Sequence, residues 1–343
     1  MTGGLRVTVT GGAGFIGSNL VSWLLRHPAI GRVTVVDDCS TGSMSLLGGD
    51  LPETDFRHGT VLDAGLLDHA MTRADAVVHL AALPSVPRSV LDPMASHQAN
   101  ATGTLQVLEA ARRAGGPLVV AASSSSVYGA QPNLPKSEHD RAMPLSPYAV
   151  TKLATEAYLG AYHSCYGLPV LPLRFFNVYG PRQQAGHPYA AVVPKWIDAA
   201  LSGQAVTVHG DGTQSRDLTC VDTVCQVITT AITDRVTSPW PVNLALGTRT
   251  SLLDLIELLG DVLGAPLRIE HTGPRPGDVA HSQADPTRLL ELFPGTAAVP
   301  LRVGLAATAA WHREQHATAG TRSAQARQPS AAASPVGRSG CTS

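Results

Sequence analysis

Short apolar, β-branched runs recur through the first two-thirds of the chain, separated by stretches of helical periodicity. Leu5–Thr10 reads as a strand, Phe15–Arg26 as a helix and Val33–Asp37 as the next strand. Ala76–Ala82 and Leu118–Ser123 are two further strand-sized runs. Between them, Ala95–Ala114 has a helical apolar stripe through Leu105, Leu108 and Ala111. Tyr148–Tyr166 is a long helical pattern following Pro147, and Val170–Phe175 is apolar on both faces, as a fully covered strand is. Strands alternating with helices predict a doubly wound α/β domain over residues 1–180, its parallel sheet covered on both sides.

After Gly180 the rhythm changes. Pro and Gly become frequent, and helices at Val192–Leu201 and Leu252–Leu263 stand among short strands. Residues 181–316 are therefore assigned mainly to a smaller C-terminal substrate-binding lobe, some of whose strands mix with the first domain. A last helix is expected at Leu305–His316, carrying Trp311. Residues 317–343 are Ala, Ser, Arg, Gly and Pro with little apolar bulk, and are expected to form a disordered tail.

Composition narrows the partners. A net charge of −1 without a basic block argues against nucleic acid. No apolar run approaches the ~20 residues of a membrane span, and no secretory leader is visible. The five cysteines are odd in number and lack CxxC spacing, and the thirteen histidines lack metal-ligand spacing. The expectation is a cytoplasmic protein with no metal.

The chemistry begins at Gly11-Gly12-Ala13-Gly14-Phe15-Ile16-Gly17, between the first strand and the first helix. Gly11, Gly14 and Gly17 permit a tight turn, close approach of a pyrophosphate and close helix–sheet packing, the Rossmann-like arrangement. The helix start at Phe15 and Ile16 offers free N–H groups to phosphate. Asp37 closes the second strand, 20 residues beyond Gly17, where a carboxylate accepts ribose hydroxyls and repels a 2′-phosphate. Asp37 and Asp38, with no adjacent arginine, select NAD over NADP. Asp38 is read either as a ribose contact or as a loop cap, and Asp63 either as an adenine contact or as a helix cap.

Ser146-Pro147-Tyr148-Ala149-Val150-Thr151-Lys152 places Tyr148 and Lys152 four residues apart on one helix face. A free phenol has a pKa of ~10. A nearby ammonium favours the phenolate and lowers that value, making Tyr148 a base for a carbinol. Lys152 also suits the nicotinamide ribose. The run Ser123-Ser124-Ser125-Ser126 ends another strand at the carboxyl edge of the sheet, where a hydroxyl can relay the proton.

From about Leu5 to Trp311 the sequence resembles the extended short-chain dehydrogenase/reductases. It is most similar to the NAD-dependent nucleotide-sugar epimerase/dehydratase family, and within it to 4-epimerases of UDP-glucose and UDP-N-acetylglucosamine. The resemblance rests on the glycine loop, His79-Leu80-Ala81-Ala82, Asn100-Ala101-Thr102-Gly103-Thr104, Ser124–Gly129, Tyr148 with Lys152, and Arg174–Arg182. It assigns the catalytic hydroxyl to Ser124. It adds Ser40, Gly42, Leu80, Ala81, Ala82 and Asn100 to the cofactor residues, and it implies a homodimer joined partly through the Tyr148 helix.

Relatives that dehydrate or decarboxylate generally carry Asp or Glu just after this serine, where this chain has Ser125 and Ser126. That points to 4-epimerisation through a transient 4-keto sugar. The resemblance also implies a substrate set. Ser85 lies in the Leu83–Ser89 stretch, Asn177 meets the diphosphate, and His187–Trp196, with Val192 and Lys195, lines the uridine. Arg216 and Arg275 supply positive charge, and Asp278 meets the nucleoside ribose. Ser282 stands at a pocket-size gate where a small residue admits a 2-acetamido group. Ala280 departs from a usually basic position. The alternative substrates are UDP-glucuronate, disfavoured by Asn177 where uronate epimerases have Thr, and a dTDP- or CDP-linked deoxysugar.

Overall fold

The computed structural model describes residues 3–186, 190–273 and 280–326, with side chains as far as residue 318. The chain opens with β1 (Leu5–Thr10), α1 (Phe15–Leu25), β2 (Ile30–Asp37), β3 (Asp55–His58), α2 (Ala64–Ala70) and β4 (Ala76–His79). It continues through α3 (Val86–Leu91), α4 (Pro93–His97), α5 (Gly103–Arg113), β5 (Leu118–Ser124), α6 (Pro147–Tyr166) and β6 (Val170–Phe175). Next come β7 (Val178–Tyr179), α7 (Val192–Leu201), β8 (Val206–His209), β9 (Ser215–Arg216), β10 (Thr219–Cys220) and α8 (Val221–Thr233). The remainder is β11 (Val242–Leu244), β12 (Thr250–Ser251), α9 (Leu252–Leu263), β13 (Ile269–Thr272), α10 (Thr287–Leu292) and α11 (Leu301–Ala326).

Seven parallel strands form the central sheet in the order β3-β2-β1-β4-β5-β6-β11. Strand order reverses between β1 and β4, which opens the crevice where such sheets hold their ligands. Val7, Val9, Val33, Val35 and Val78 face α1 and α8 on one side. Val36, Val77, Val119 and Ala121 face α2, α5 and α6 on the other. Burial on both faces explains why these strands read as apolar and β-branched runs. A second core, around Trp196, Ile197, Val208, Leu255 and Leu259, joins α7, β8, α9 and α11 into the smaller lobe.

Later segments mix with the first domain: α8 packs on α1 and β11 adds the seventh strand of the first sheet. Two features depart from the sequence reading. The helix expected at Ala95–Ala114 is interrupted by a wide π turn at Gln98–Thr102, where the Thr104 hydroxyl donates to the Asn100 carbonyl. The last helix runs to Ala326, ten residues past the expected end at His316. Residues 317–326 are Ala-rich and contain no proline, so helix propensity continues there without apolar bulk. The rest of the expected tail, 327–343, lies outside the described residues. None of the described helices is long and apolar enough to cross a membrane.

Candidate active site

β1 ends at Thr10 and the chain turns through the glycines into α1. Gly11 sits at φ +74°, and a Cβ there would lie 2.6 Å from the Ala81 nitrogen. At Gly17 a Cβ would lie 2.1 Å from the Gly11 carbonyl oxygen, so the helix can pack this closely only without a side chain. α1 begins after Gly14 with no side-chain cap and no acid in its first turn. Its first N–H groups are left for a ligand, and Phe15, Ile16 and Gly17 line a cavity of about 560 Å³.

Asp37 lies on the same wall, buried, its two oxygens accepting the Ala13 and Cys39 N–H groups at 2.8 Å each. Burial raises its pKa, and these bonds pull it back. Asp38 is exposed at the rim and accepts the Ser40 N–H at 2.9 Å. Asp38 and Ser40 also line the cavity, as do Leu80, Ala81 and Ala82. The sequence missed Gly59–Leu62 and Gln98, which complete the wall but carry no motif.

Ser124, Tyr148 and Lys152 meet at the other end of this cavity. Pro147 begins α6 and has no N–H to satisfy. Ser146 Oγ accepts the Ala149 N–H, and buried Ser89 Oγ accepts the Tyr148 N–H at 3.0 Å. Ser89 thus fixes the backbone of Tyr148, a role the sequence did not suggest. Lys152 is buried, donates to the Ala122 carbonyl at 2.8 Å and lies 6.0 Å from the Tyr148 ring centre. Burial lowers its pKa to about 8. For the Tyr148 phenol, burial raises the pKa, and the hydrogen bond with Ser124 opposes it. The net direction is upward, opposite to the lowering expected from Lys152, because burial dominates.

His79 bridges Thr10 at 2.8 Å and Thr104 at 3.1 Å, and burial lowers its pKa to about 3. It is a neutral strut beneath the site.

A second cavity of about 310 Å³ adjoins the first and shares Asn177, Val178 and Gln183 with it. Val192, Trp196, His209 and Arg216 line it. Trp196 donates its indole N–H to the Thr207 carbonyl, and Asn177 Nδ2 donates to the Asp217 carbonyl at 3.1 Å. Asp217 itself is fully buried, accepting from the Thr248 and Ala284 backbones and the Thr248 hydroxyl.

Several expected ligand residues do other work. Asp63 caps α2 by accepting the Leu66 N–H at 3.0 Å and does not line the cavity. Asn100 is likewise absent from the lining. Its amide closes two bonds with the Leu83 backbone and donates to Thr151, so it holds the Leu80–Leu83 wall in place. Ser85 caps α3 by accepting the Arg88 N–H, and Gly42 packs against the Ala13 carbonyl. Lys195 is exposed on α7 and Ser282 pairs through its backbone with Ser215, both outside the two linings. Arg275 and Asp278, with His187–Tyr189, lie outside the described residues. Asp63→Ala should cost about 1 kcal/mol of stability by removing a helix cap. It should leave NAD content unchanged, as measured by thermal melting and acid release of cofactor.

A sequence model of the NAD dependent epimerase/dehydratase family matches residues 7–245. A UDP-glucose 4-epimerase of Mycolicibacterium smegmatis is 38% identical over 319 residues, covering 91% of this chain and 99% of that protein. Among solved structures, a UDP-N-acetylglucosamine 4-epimerase from Methanobrevibacter ruminantium, in complex with UDP-N-acetylmuramic acid, superposes with a TM-score of 0.86. It is 36% identical and covers 91% of this chain and 99% of its own. A UDP-glucuronic acid 4-epimerase from Bacillus cereus, in complex with UDP-glucuronic acid and NAD, gives a TM-score of 0.81. It is 30% identical, covering 91% of this chain and 100% of its own.

The chain belongs to the NAD-dependent epimerase/dehydratase family, enzymes built on a Rossmann-like short-chain dehydrogenase/reductase fold. Its cofactor is NAD, and the glycine turn, the open end of α1 and the buried Asp37 fit the adenosine and pyrophosphate of that molecule.

Proposed function

We propose that the protein is a 4-epimerase of a UDP-hexose, UDP-glucose or UDP-N-acetylglucosamine, working through a transient 4-keto sugar. The observation that carries this reading is where the acids lie. Among the described residues, the carboxylates lining the first cavity are Asp37 and Asp38, at the end of β2. β1 and β4 stand between β2 and the Ser124 strand β5. Three strand spacings put those acids ~14 Å from the catalytic end. Ser125 and Ser126 follow Ser124, so no carboxyl group stands next to it to assist elimination of water.

In this reading Tyr148 takes the proton of the sugar 4-hydroxyl, and Ser124 holds that oxygen and passes the proton along. Lys152, anchored to the Ala122 carbonyl, steadies the ribose next to the nicotinamide. Bound NAD supplies a hydride acceptor and a positive charge that favours the phenolate. Asn177, at the seam of the two cavities, and Arg216 serve the diphosphate, with Val192 beside the uridine. After the 4-keto sugar turns over, Tyr148 would return the proton to the 4-oxygen as C4 is reduced on its opposite face, so the cofactor would be regenerated in each cycle and need not leave.

The substrate is tested by offering UDP-glucose, UDP-N-acetylglucosamine and UDP-glucuronate side by side and resolving the 4-epimers. Turnover of either of the first two supports the reading, and turnover confined to UDP-glucuronate replaces it. Arg216→Ala should raise KM about tenfold or more by removing one charge-assisted contact to the diphosphate.

The reading includes a homodimer. α3, α4 and α6 leave Val90, Leu91, Met94 and Val150 exposed, Leu91 by 75%. Paired with a second copy, these side chains leave water. Sedimentation should show a dimer, and Leu91→Glu with Met94→Glu should give monomers.

A further inference from the structure

Beneath the catalytic end lies a buried ion pair that the reaction above does not use. Glu156 sits on α6 one turn beyond Lys152, and Arg174 sits on β6 three residues before Asn177. The Arg174 Nε and Nη2 groups donate to the two Glu156 oxygens at 2.8 Å each. Ser123, the neighbour of Ser124, donates its hydroxyl to the same carboxylate. The guanidinium also covers the Tyr128 ring at 4.7 Å, and the Tyr128 hydroxyl donates to Asn243 at 2.7 Å. Arg174 and Glu156 side chains are 4% and 6% exposed.

A buried pair of charges is a poor device for stability alone, because desolvation offsets most of the attraction and apolar replacements are often as stable. Here Arg174 Nη1 has no partner among the described residues, which adds to that cost. The location suggests what the cost obtains. Two links tie α6 to the end of β5: Lys152 to the Ala122 carbonyl, and Glu156 to the Ser123 hydroxyl. They attach at consecutive residues of the strand and one turn apart on the helix. Arg174 then fixes the same carboxylate to β6, the strand leading to Asn177.

We infer that Glu156, Arg174 and Ser123 are positioning residues that set the register between the Tyr148–Lys152 helix and the Ser124 strand. Glu156 and Arg174 lie outside both cavity linings, and Ser123, which borders the first cavity, has its hydroxyl turned to Glu156. They act through the placement of Lys152 and Ser124, where a shift of an ångström has a large effect on rate.

The inference rests on the oxidoreductive reading of Ser124, Tyr148 and Lys152, and its test separates the two. Wild type, Tyr148→Phe, Ser123→Ala, Glu156→Gln and the double variant Glu156→Leu with Arg174→Met are each assayed with UDP-glucose and UDP-N-acetylglucosamine. NAD content and melting temperature are recorded for each. Ser123→Ala removes one buried hydroxyl and leaves the ion pair, so it should fold normally. It should lower kcat about tenfold while KM and NAD content change less than about twofold. Glu156→Gln should show a larger fall in kcat together with a lower melting temperature. The double variant should recover melting temperature without recovering kcat.

Normal kcat in Ser123→Ala, or kcat that returns with melting temperature in the double variant, would show a purely structural role and overturn the inference alone. Wild type inert toward both sugars, or an active Tyr148→Phe, overturns the functional reading and this inference with it.

Discussion

Tyr148→Phe should lower kcat about 10³-fold, the range of a positioned general base, while the protein keeps its NAD and its melting temperature. The ring stays in place because its backbone and helix are held independently of the hydroxyl's bond to Ser124. Ser89 holds the Tyr148 backbone N–H, Ser146 caps the helix, and Lys152 keeps its bond to Ala122. What is lost is the oxygen, hydrogen-bonded to Ser124, to which the proposed mechanism assigns the carbinol proton. A thousandfold loss corresponds to about 4 kcal/mol of transition-state stabilisation. Initial rates on the purified variant and acid release of its cofactor check both halves. Near-normal turnover would remove Tyr148 from the chemistry.

Gly17→Ala should abolish activity by a different route, through loss of cofactor and fold. Its new Cβ would lie 2.1 Å from the Gly11 carbonyl oxygen and 2.7 Å from Gly12 Cα. Both neighbours are backbone, so α1 must move away from β1. That separates Leu20, Val21 and Leu24 from the sheet and closes the turn that opens into the cavity. Overpacking of this kind costs about 3 kcal/mol. The variant should purify with little NAD and melt well below wild type, as calorimetry and cofactor release would show. A Gly17→Ala protein that melts like wild type with NAD in place would contradict the packing described.

Much of this site could be read before the fold was known, for physical reasons. The inner strands are covered on both sides, so β4 and β5 appear as apolar runs, and β1 is β-branched throughout from Val7 to Thr10. The glycines are dictated by backbone approach, and Tyr148 and Lys152 by the helical repeat. The parts that escaped depend on distant partners. β11 is three residues long and preceded by Pro239 and Pro241, so only its pairing with β6 makes it a strand. Asp63 and Asn100 stand beside the cavity, where a cap, a strut and a ligand contact call for the same polar side chains. Only coordinates show that Asp63 turns to Leu66 and Asn100 to Leu83. Ser89 and Glu156 carry no local signal, since each matters for what it meets 59 and 18 residues away.

The central claim is that the sugar is oxidised only transiently and its own hydride is handed back. UDP-glucose carrying deuterium at C4, incubated with the holoenzyme in ordinary water, tests it most directly. The same test is run with UDP-N-acetylglucosamine, and the sugar that turns over should give its 4-epimer with the C4 deuterium retained and no net NADH. Loss of the label to solvent, accumulated NADH, or a 4-keto-6-deoxy product would contradict it.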